Sequence, residues 1–335
     1  MKALKIIGYT LGGIFGCMIF ALLIALWAYR DIPAEDLEAK YTNEASRFMN
    51  IDGVRIHYRD EGNPSGPAIV LIHAHFASLL GWEDWVDALK DDYRVIRFDM
   101  TSHGLTGPDP SGDYTVERTV ELTEKLIDAL GIENVTFGAT SLGGTIALHY
   151  ASRHPERVNS LVLLSPGSLE GREQMEKRGV PGKSANILHY ILPRALPAYM
   201  LSSAWGETAP LPEELIDRWY DMWMREGQRE AELDRIRQYK PDGIEEIIAS
   251  IQVPVFILWG EANPQAPVTQ APEFIHLLNN SPSVVLKIYP GVGHMAVQEA
   301  GELTGVDVRA YLDGNLKLPD ARGEDDTRPA PAEEG

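Results

Sequence analysis

One segment limits the fold of this chain more than any other. From Asn134 to Ala139 the residues NVTFGA read as a short β-strand, and at Ser141 they break into LGGTIALHYAS, which has helical character. A strand that turns into a helix this abruptly needs small residues at the turn and close helix packing, which Gly143 and Gly144 permit. Such a turn exposes a serine hydroxyl. It also points the Leu142 N–H and the helix N-terminus at whatever binds there, stabilising a developing oxyanion. Ser141 is thus a candidate nucleophile and Leu142 a candidate oxyanion donor, against the plainer reading of a serine N-cap on an ordinary helix.

The surrounding sequence supplies a matching frame. Short β-branched runs alternate with amphipathic stretches, the pattern of an α/β protein with a mostly parallel sheet flanked by helices. Two early strands, SRFMNI and VRIHYRD, frame Asp52-Gly53, a strong hairpin signal. Further strands are expected over 68–73, 93–99, 134–139, 160–164, 253–259 and 283–289. The gap between the expected strands 160–164 and 253–259 is longer than a crossover requires: Ser165 to Ile251 holds about 85 residues, rich in prolines and aromatics, and reads as an inserted helical lid over about 167–250.

Two histidine-bearing loops fall on the same edge of the expected sheet as Ser141. After the first parallel strand the chain reads His73-Ala74-His75-Phe76, where His75 offers its backbone N–H as a second oxyanion donor. His73 and His75 have a metal-ligand spacing, but no third ligand is legible beside them, so no metal is expected and His73 reads as a structural residue under the loop. The general base is expected at His294, in the glycine-flanked loop Gly291-Val292-Gly293-His294 beyond the last strand. Nucleophile, orienting residue, histidine is the chain order of one known triad.

With these motifs in place, the region from about Ser46 to Leu312 resembles the α/β-hydrolase superfamily, in its lid-bearing serine esterase and meta-cleavage hydrolase-like branch. The matching pieces are LIHAHFASLLGW, FDMTSHGLTGPDP, ATSLGG, VPVFILWGEANPQAP and YPGVGHMAVQE. Serine at 141 disfavours the dehalogenase and epoxide hydrolase branches, which the resemblance would require to carry aspartate there. Departures are informative too. The family's His-Gly is His73-Ala74, the elbow's first glycine is Ala139, and the usual Arg/Pro-Gly is Thr101-Ser102. Asn263 stands where the resemblance implies an aspartate to orient the histidine, with Glu261 two residues away as a substitute carboxylate. Asparagine can orient a histidine but cannot stabilise an imidazolium by charge.

The ends of the chain are of different character. Ile6–Tyr29 is 24 residues without a charge, spanning roughly 36 Å as a helix, enough for a bilayer core. It reads as a membrane anchor over residues 1–30, with a cleaved signal peptide as the plainer reading. Lys2 and Lys5 precede it, so the amino terminus is expected in the cytoplasm and the domain over 31–313 outside it, periplasmic in a bacterium. From Gly314 to Gly335 the chain reads as a solvated, disordered acidic tail. Of 30 basic and 49 acidic residues, the first 30 positions hold three and none, so the rest carries a net charge of −22. That argues against a nucleic-acid partner. A lone cysteine, Cys17, excludes an internal disulfide.

Together these readings predict a membrane-anchored serine hydrolase acting on a small or medium hydrophobic ester, thioester or lactone, without cofactor or metal. Trp205, Trp219 and Trp223 of the lid are candidates to line its pocket. The alternatives are C–C bond hydrolysis and a weakly active or inactive ligand-binding protein that keeps the fold. Oligomeric state is not legible.

Overall fold

A computed structural model of the chain describes residues 2–166, 169, 183–240 and 243–323. Eight strands form one sheet: β1 (Ser46–Ile51), β2 (Val54–Gly62), β3 (Ala68–Ile72), β4 (Arg94–Phe98), β5 (Val135–Thr140), β6 (Val158–Leu164), β7 (Val255–Gly260) and β8 (Val284–Tyr289). Their order is β1-β2-β4-β3-β5-β6-β7-β8, with β1 and β2 antiparallel and the strands from β4 to β8 parallel. The β1–β2 hairpin turns at Asp52-Gly53, both at positive φ (51° and 85°), as the Asp-Gly pair favours.

Parallel strands covered on both faces need no polar side, and β5 and β7 are buried at every residue. One face is closed by α4 (Val116–Ala129) and α5 (Leu142–Arg153), which pack Val120, Leu126 and Ile146 around Phe137 and Ile257. The other is closed by α3 (Glu83–Leu89) and the helix Gly301–Leu312, where the buried Trp85 Nε1 donates to Thr304 Oγ1 at 2.9 Å. Removing a side chain such as Phe137 from this core would cost about 3–5 kcal/mol. The chain passes from β3 to β4 on one side and then crosses back past β3 to β5 on the other, so the strand order reverses between β3 and β5. An open α/β sheet places its ligand crevice at such a switch point, beyond the carboxyl ends of the strands.

Between β6 and β7 the described residues form helices Ala195–Ala204, Glu213–Trp223, Gln228–Gln238 and Ile244–Ala249. Residues 167–168, 170–182 and 241–242 of the expected insertion lie outside the described residues. At the amino end, α1 (Lys2–Ala28) contains a stretch, Tyr9–Ala28, long and apolar enough to cross a membrane, with mean hydropathy 2.3 and none of it buried in the protein. The chain leaving α1 is fastened to the insertion: Ile32 N donates to Met224 O (2.8 Å), Glu226 N to Ile32 O (3.0 Å), and Asp31 pairs with Arg229 at 2.5 Å.

At the other end, part of the segment expected as solvated tail from Gly314 is tied to the domain. Ala321 N donates to Val284 O (2.7 Å), Val284 N to Asp320 Oδ2 (3.2 Å) and Arg322 Nη1 to Ser281 O (2.7 Å), tying residues 320–322 to the start of β8. Arg322 holds the Asp320 carboxyl down at about 2. These polar residues looked like solvated tail in the sequence because their partners are backbone groups of the sheet. Residues 324–335 lie outside the described residues.

Candidate active site

Ser141 sits between β5 and α5 at φ 51°, ψ −118°, a left-handed conformation that a non-glycine residue adopts at a cost of about 1–3 kcal/mol. Surrounding contacts hold it there. Ser141 N donates to Leu164 O at 3.2 Å and Thr145 N to Ser141 O at 3.3 Å, while a Cβ at Gly143 would stand 2.3 Å from Ile72 O. The first turn of α5 therefore lies directly on the end of β3, and only glycine fits at 143. This is the strand-to-helix elbow expected from the sequence, with the positive end of the α5 dipole and the Leu142 N–H beside the hydroxyl.

Asn263 follows β7 and His294 follows β8, both buried. His294 Nδ1 donates to Asn263 Oδ1 at 3.2 Å. The amide orientation follows from its other partners: Gln265 N (3.0 Å) and Ala266 N (2.9 Å) also donate to Oδ1, so the oxygen must face them. That arrangement places the ring proton on Nδ1 and leaves Nε2 as a base. The Asn263 Nδ2 group is buried with no hydrogen-bond partner among the described residues, which costs about 1–3 kcal/mol. Glu261 is exposed and does not take the orienting role. Burial alone, with no charged neighbour contributing, depresses the His294 pKa from 6.5 to about 4.

The insertion packs onto this histidine loop. His294 N donates to Ala204 O at 2.7 Å, and Glu299 Oε2 accepts from both Gly293 N and Gly206 N at 2.9 Å. Among the described residues no hydrogen bond joins Ser141 Oγ to His294. Catalytic contacts of this kind often tighten only with substrate bound.

The remaining expected residues separate into groups. Trp219 packs with Ala74, Ala77 and Met295, bridging the loop after β3 and the histidine loop. Trp223 packs against Leu192, Met224 and the Phe76 ring (4.7 Å), and with Phe76, His103, Gln228 and Glu232 it borders a small cavity. Trp205 faces a different cleft, lined by Leu80, Leu215, Arg218 and Gln298, so the three tryptophans do not line one pocket. His73 is structural as expected: its Nδ1 donates to Ala74 O (2.7 Å) and its Nε2 accepts from Met100 N (3.1 Å). The His75 ring turns to Glu232 Oε2 at 2.8 Å.

Thr101-Ser102 acquires a reason in the structure. Arg235, from helix Gln228–Gln238, is fully buried and donates to Ser102 Oγ (2.7 Å), Thr101 O (2.7 Å), Thr101 Oγ1 (2.6 Å), Thr119 Oγ1 (3.2 Å) and Tyr114 O (3.4 Å). Gln228 Nε2 also donates to Ser102 O. Ser102 stands at φ 62°. A guanidinium from the insertion thus braces the loop where the resemblance implies arginine or proline at position 101. Sequence reasoning missed Arg235, Glu232 and His103: the run QREAELDRIRQ reads as a solvated helix, and nothing local shows that its charges point inward.

Comparison with known proteins agrees with this geometry. A family model described as alpha/beta hydrolase fold matches residues 67–220. A cis-3-alkyl-4-alkyloxetan-2-one decarboxylase of Shewanella oneidensis is 36% identical over 124 residues, 36% of this chain and only 38% of that protein. A 2-hydroxy-6-oxo-6-(2'-aminophenyl)hexa-2,4-dienoic acid hydrolase of Metapseudomonas resinovorans is 26% identical over 277 residues, 80% of this chain and 90% of that one. The solved structure of a membrane phospholipase A, described as a bacterial virulence factor, shares the fold at a TM-score of 0.68 and 23% identity, covering 94% of this chain and 99% of that one. With the strand order and the elbow, these matches show an α/β-hydrolase fold, the family model covering a little under half of the chain.

Proposed function

We propose that the protein is a membrane-anchored serine hydrolase that cleaves a small or medium hydrophobic ester, thioester or lactone through an acyl-enzyme. The observation that carries this reading is the strained elbow serine combined with a buried His294 whose Nδ1–H is committed to Asn263. In the reaction Ser141 Oγ attacks the acyl carbon while His294 Nε2 takes its proton, and the Leu142 and His75 N–H groups receive the oxyanion. His294 then returns the proton to the leaving oxygen or sulfur, and water, activated by the same nitrogen, releases the acid. Asn263 fixes the tautomer but adds no negative charge to stabilise the imidazolium, so turnover is slow for the fold.

Apolar groups around the site, Trp219, Met295, Ala74 and Phe76, favour a hydrophobic acyl chain. The unburied apolar stretch Tyr9–Ala28 supports anchoring, with the insertion acting as a lid close to the bilayer because it holds the chain leaving α1. Lys2 and Lys5 favour a cytoplasmic amino terminus. A second reading, C–C bond hydrolysis, is favoured by the dienoic acid hydrolase relative, whose identity extends over most of both chains. Purified full-length protein in detergent should hydrolyse p-nitrophenyl esters of short to medium acyl chains, and Ser141→Ala should remove that activity. Turnover of a vinylogous diketone without ester turnover would favour the second reading. Saturable binding of both with no turnover of either would mean that the site only binds.

A further inference from the structure

We propose that His75, His103 and Glu232 form a binding site for one divalent transition-metal ion, zinc in the first instance, that clasps the insertion to the loops after β3 and β4. This rests on side chains outside the Ser141–His294–Asn263 constellation and does not depend on the hydrolase reading. The three residues come from three separate elements. His75 is in the loop after β3, His103 in the loop after β4, and Glu232 on helix Gln228–Gln238. One ligand atom from each lies within 4.8 Å of the others. Two imidazoles and a carboxylate are a common zinc set.

The decisive detail is at His103. Its Nδ1 donates to Thr101 O at 2.9 Å, so its Nε2 carries a bare lone pair. That lone pair lies 3.3 Å from Glu232 Oε1, which is also an acceptor, and Nε2 is buried with no hydrogen-bond partner among the described residues. Two bare acceptors in buried contact repel unless a shared proton or a metal ion sits between them, and this contact lacks the geometry of a hydrogen bond. Donor atoms around a tetrahedral zinc stand roughly 3.3 Å apart, so the pair already has the spacing that a shared ion requires. An imidazole that ligates a metal through Nε2 while its other N–H donates to a backbone carbonyl is the usual outer-sphere arrangement.

Neighbouring groups fit the assignment. Among the described residues the Arg235 guanidinium gives its donors to Thr101, Ser102, Tyr114 and Thr119 and none to Glu232, leaving both carboxylate oxygens to the two histidines. The half-buried His75 ring donates from Nε2 to Glu232 Oε2. On metal binding that proton leaves Nε2 and the ring takes one at Nδ1, so His75 stays neutral while its Nε2 lone pair meets the ion. Three protein ligands leave a fourth position towards the cavity bordered by Phe76, Met222, Trp223 and Gln228.

The test uses untagged full-length protein in detergent, stripped with EDTA and titrated with zinc chloride by calorimetry, with metal content measured after desalting. The proposal expects one zinc per chain and a raised melting temperature. His103→Gln and Glu232→Gln should each weaken binding at least roughly tenfold, while His276→Ala, an exposed control, should leave it unchanged. If a melt shows that either buried variant does not fold, the half-exposed His75→Ala decides by the same criterion. Absence of one-to-one zinc binding in the wild type overturns the proposal. So does binding that folded variants of the site retain at wild-type affinity.

Discussion

Asn263 Oδ1 lies 3.2 Å from His294 Nδ1 and is fixed there by the backbone N–H groups of Gln265 and Ala266. The geometry is that of an orienting carboxylate, with one oxygen occupied as an aspartate's would be and the other replaced by an NH₂ that has no partner among the described residues. Orientation and charge are separate contributions in a triad, and this site keeps the first without the second.

Asn263→Asp should therefore raise kcat on an activated ester. The three hydrogen bonds to Oδ1 persist, and the new charge favours the His294 imidazolium that forms as Ser141 loses its proton. An increase of at least roughly tenfold is expected, about 1.4 kcal/mol of transition-state stabilisation. Steady-state kinetics on the two folded proteins checks it. Unchanged kinetics would mean that another group already supplies the charge, and a fall would mean that the site is built around the amide.

A second expectation concerns pH. Burial holds the His294 pKa at about 4, below its ordinary 6.5, so Nε2 is unprotonated throughout the neutral range. The kcat/KM profile should be flat from about pH 6 to 8 and lose activity only towards about pH 4, and Asn263→Asp should move that acid limb upward. The same shift affects stability. Between about 6.5 and 4 the unfolded chain takes up a proton at this histidine that the folded one refuses, so stability falls as pH falls through that window. His294→Gln should make the dependence of melting temperature on pH shallower there.

Arg235→Lys tests the brace under Thr101-Ser102. Lysine keeps the charge but has three donors on a point-like head, where the guanidinium makes five hydrogen bonds in a fixed fork. Two or more buried acceptors lose their partner, and stability should drop by at least about 2 kcal/mol in denaturant titration. A loss within experimental error would show that the fork is dispensable.

Membrane topology gives a fourth expectation. With Lys2 and Lys5 ahead of the apolar stretch, alkaline phosphatase fused to the carboxyl end should be active in whole cells. A fully expressed but inactive fusion would reverse the orientation.

The sheet was legible because its strands are nearly continuous apolar runs with Gly, Pro or acidic breaks. Expected and observed bounds differ by one or two residues, as at 93–99 against Arg94–Phe98 and 253–259 against Val255–Gly260. The placement of Ser141, Asn263 and His294 at one edge was legible because each closes or follows a strand there. Glu232 and Arg235 were not. Their partners His75, His103, Thr101 and Ser102 are more than 120 residues away, and a helix with charges on most of its surface gives no periodic sign of which face is buried. Trp205 misled for another reason: it groups with Trp219 and Trp223 as an aromatic of the same insertion, but it follows helix Ala195–Ala204 while they lie in Glu213–Trp223, and it borders another cleft.

The central claim is that Ser141 is an activated nucleophile, and covalent capture tests it most directly. A fluorophosphonate probe reacts with a serine only where a base and an oxyanion site serve it. Intact-mass measurement on the full-length protein in detergent should show one adduct per chain, mapped by peptide analysis to Ser141, with none on Ser141→Ala. His294→Gln should slow labelling at least roughly a hundredfold, in line with the loss of a general base. A folded wild-type protein that hydrolyses esters while its adduct forms at another residue, or forms equally in Ser141→Ala, would contradict the account.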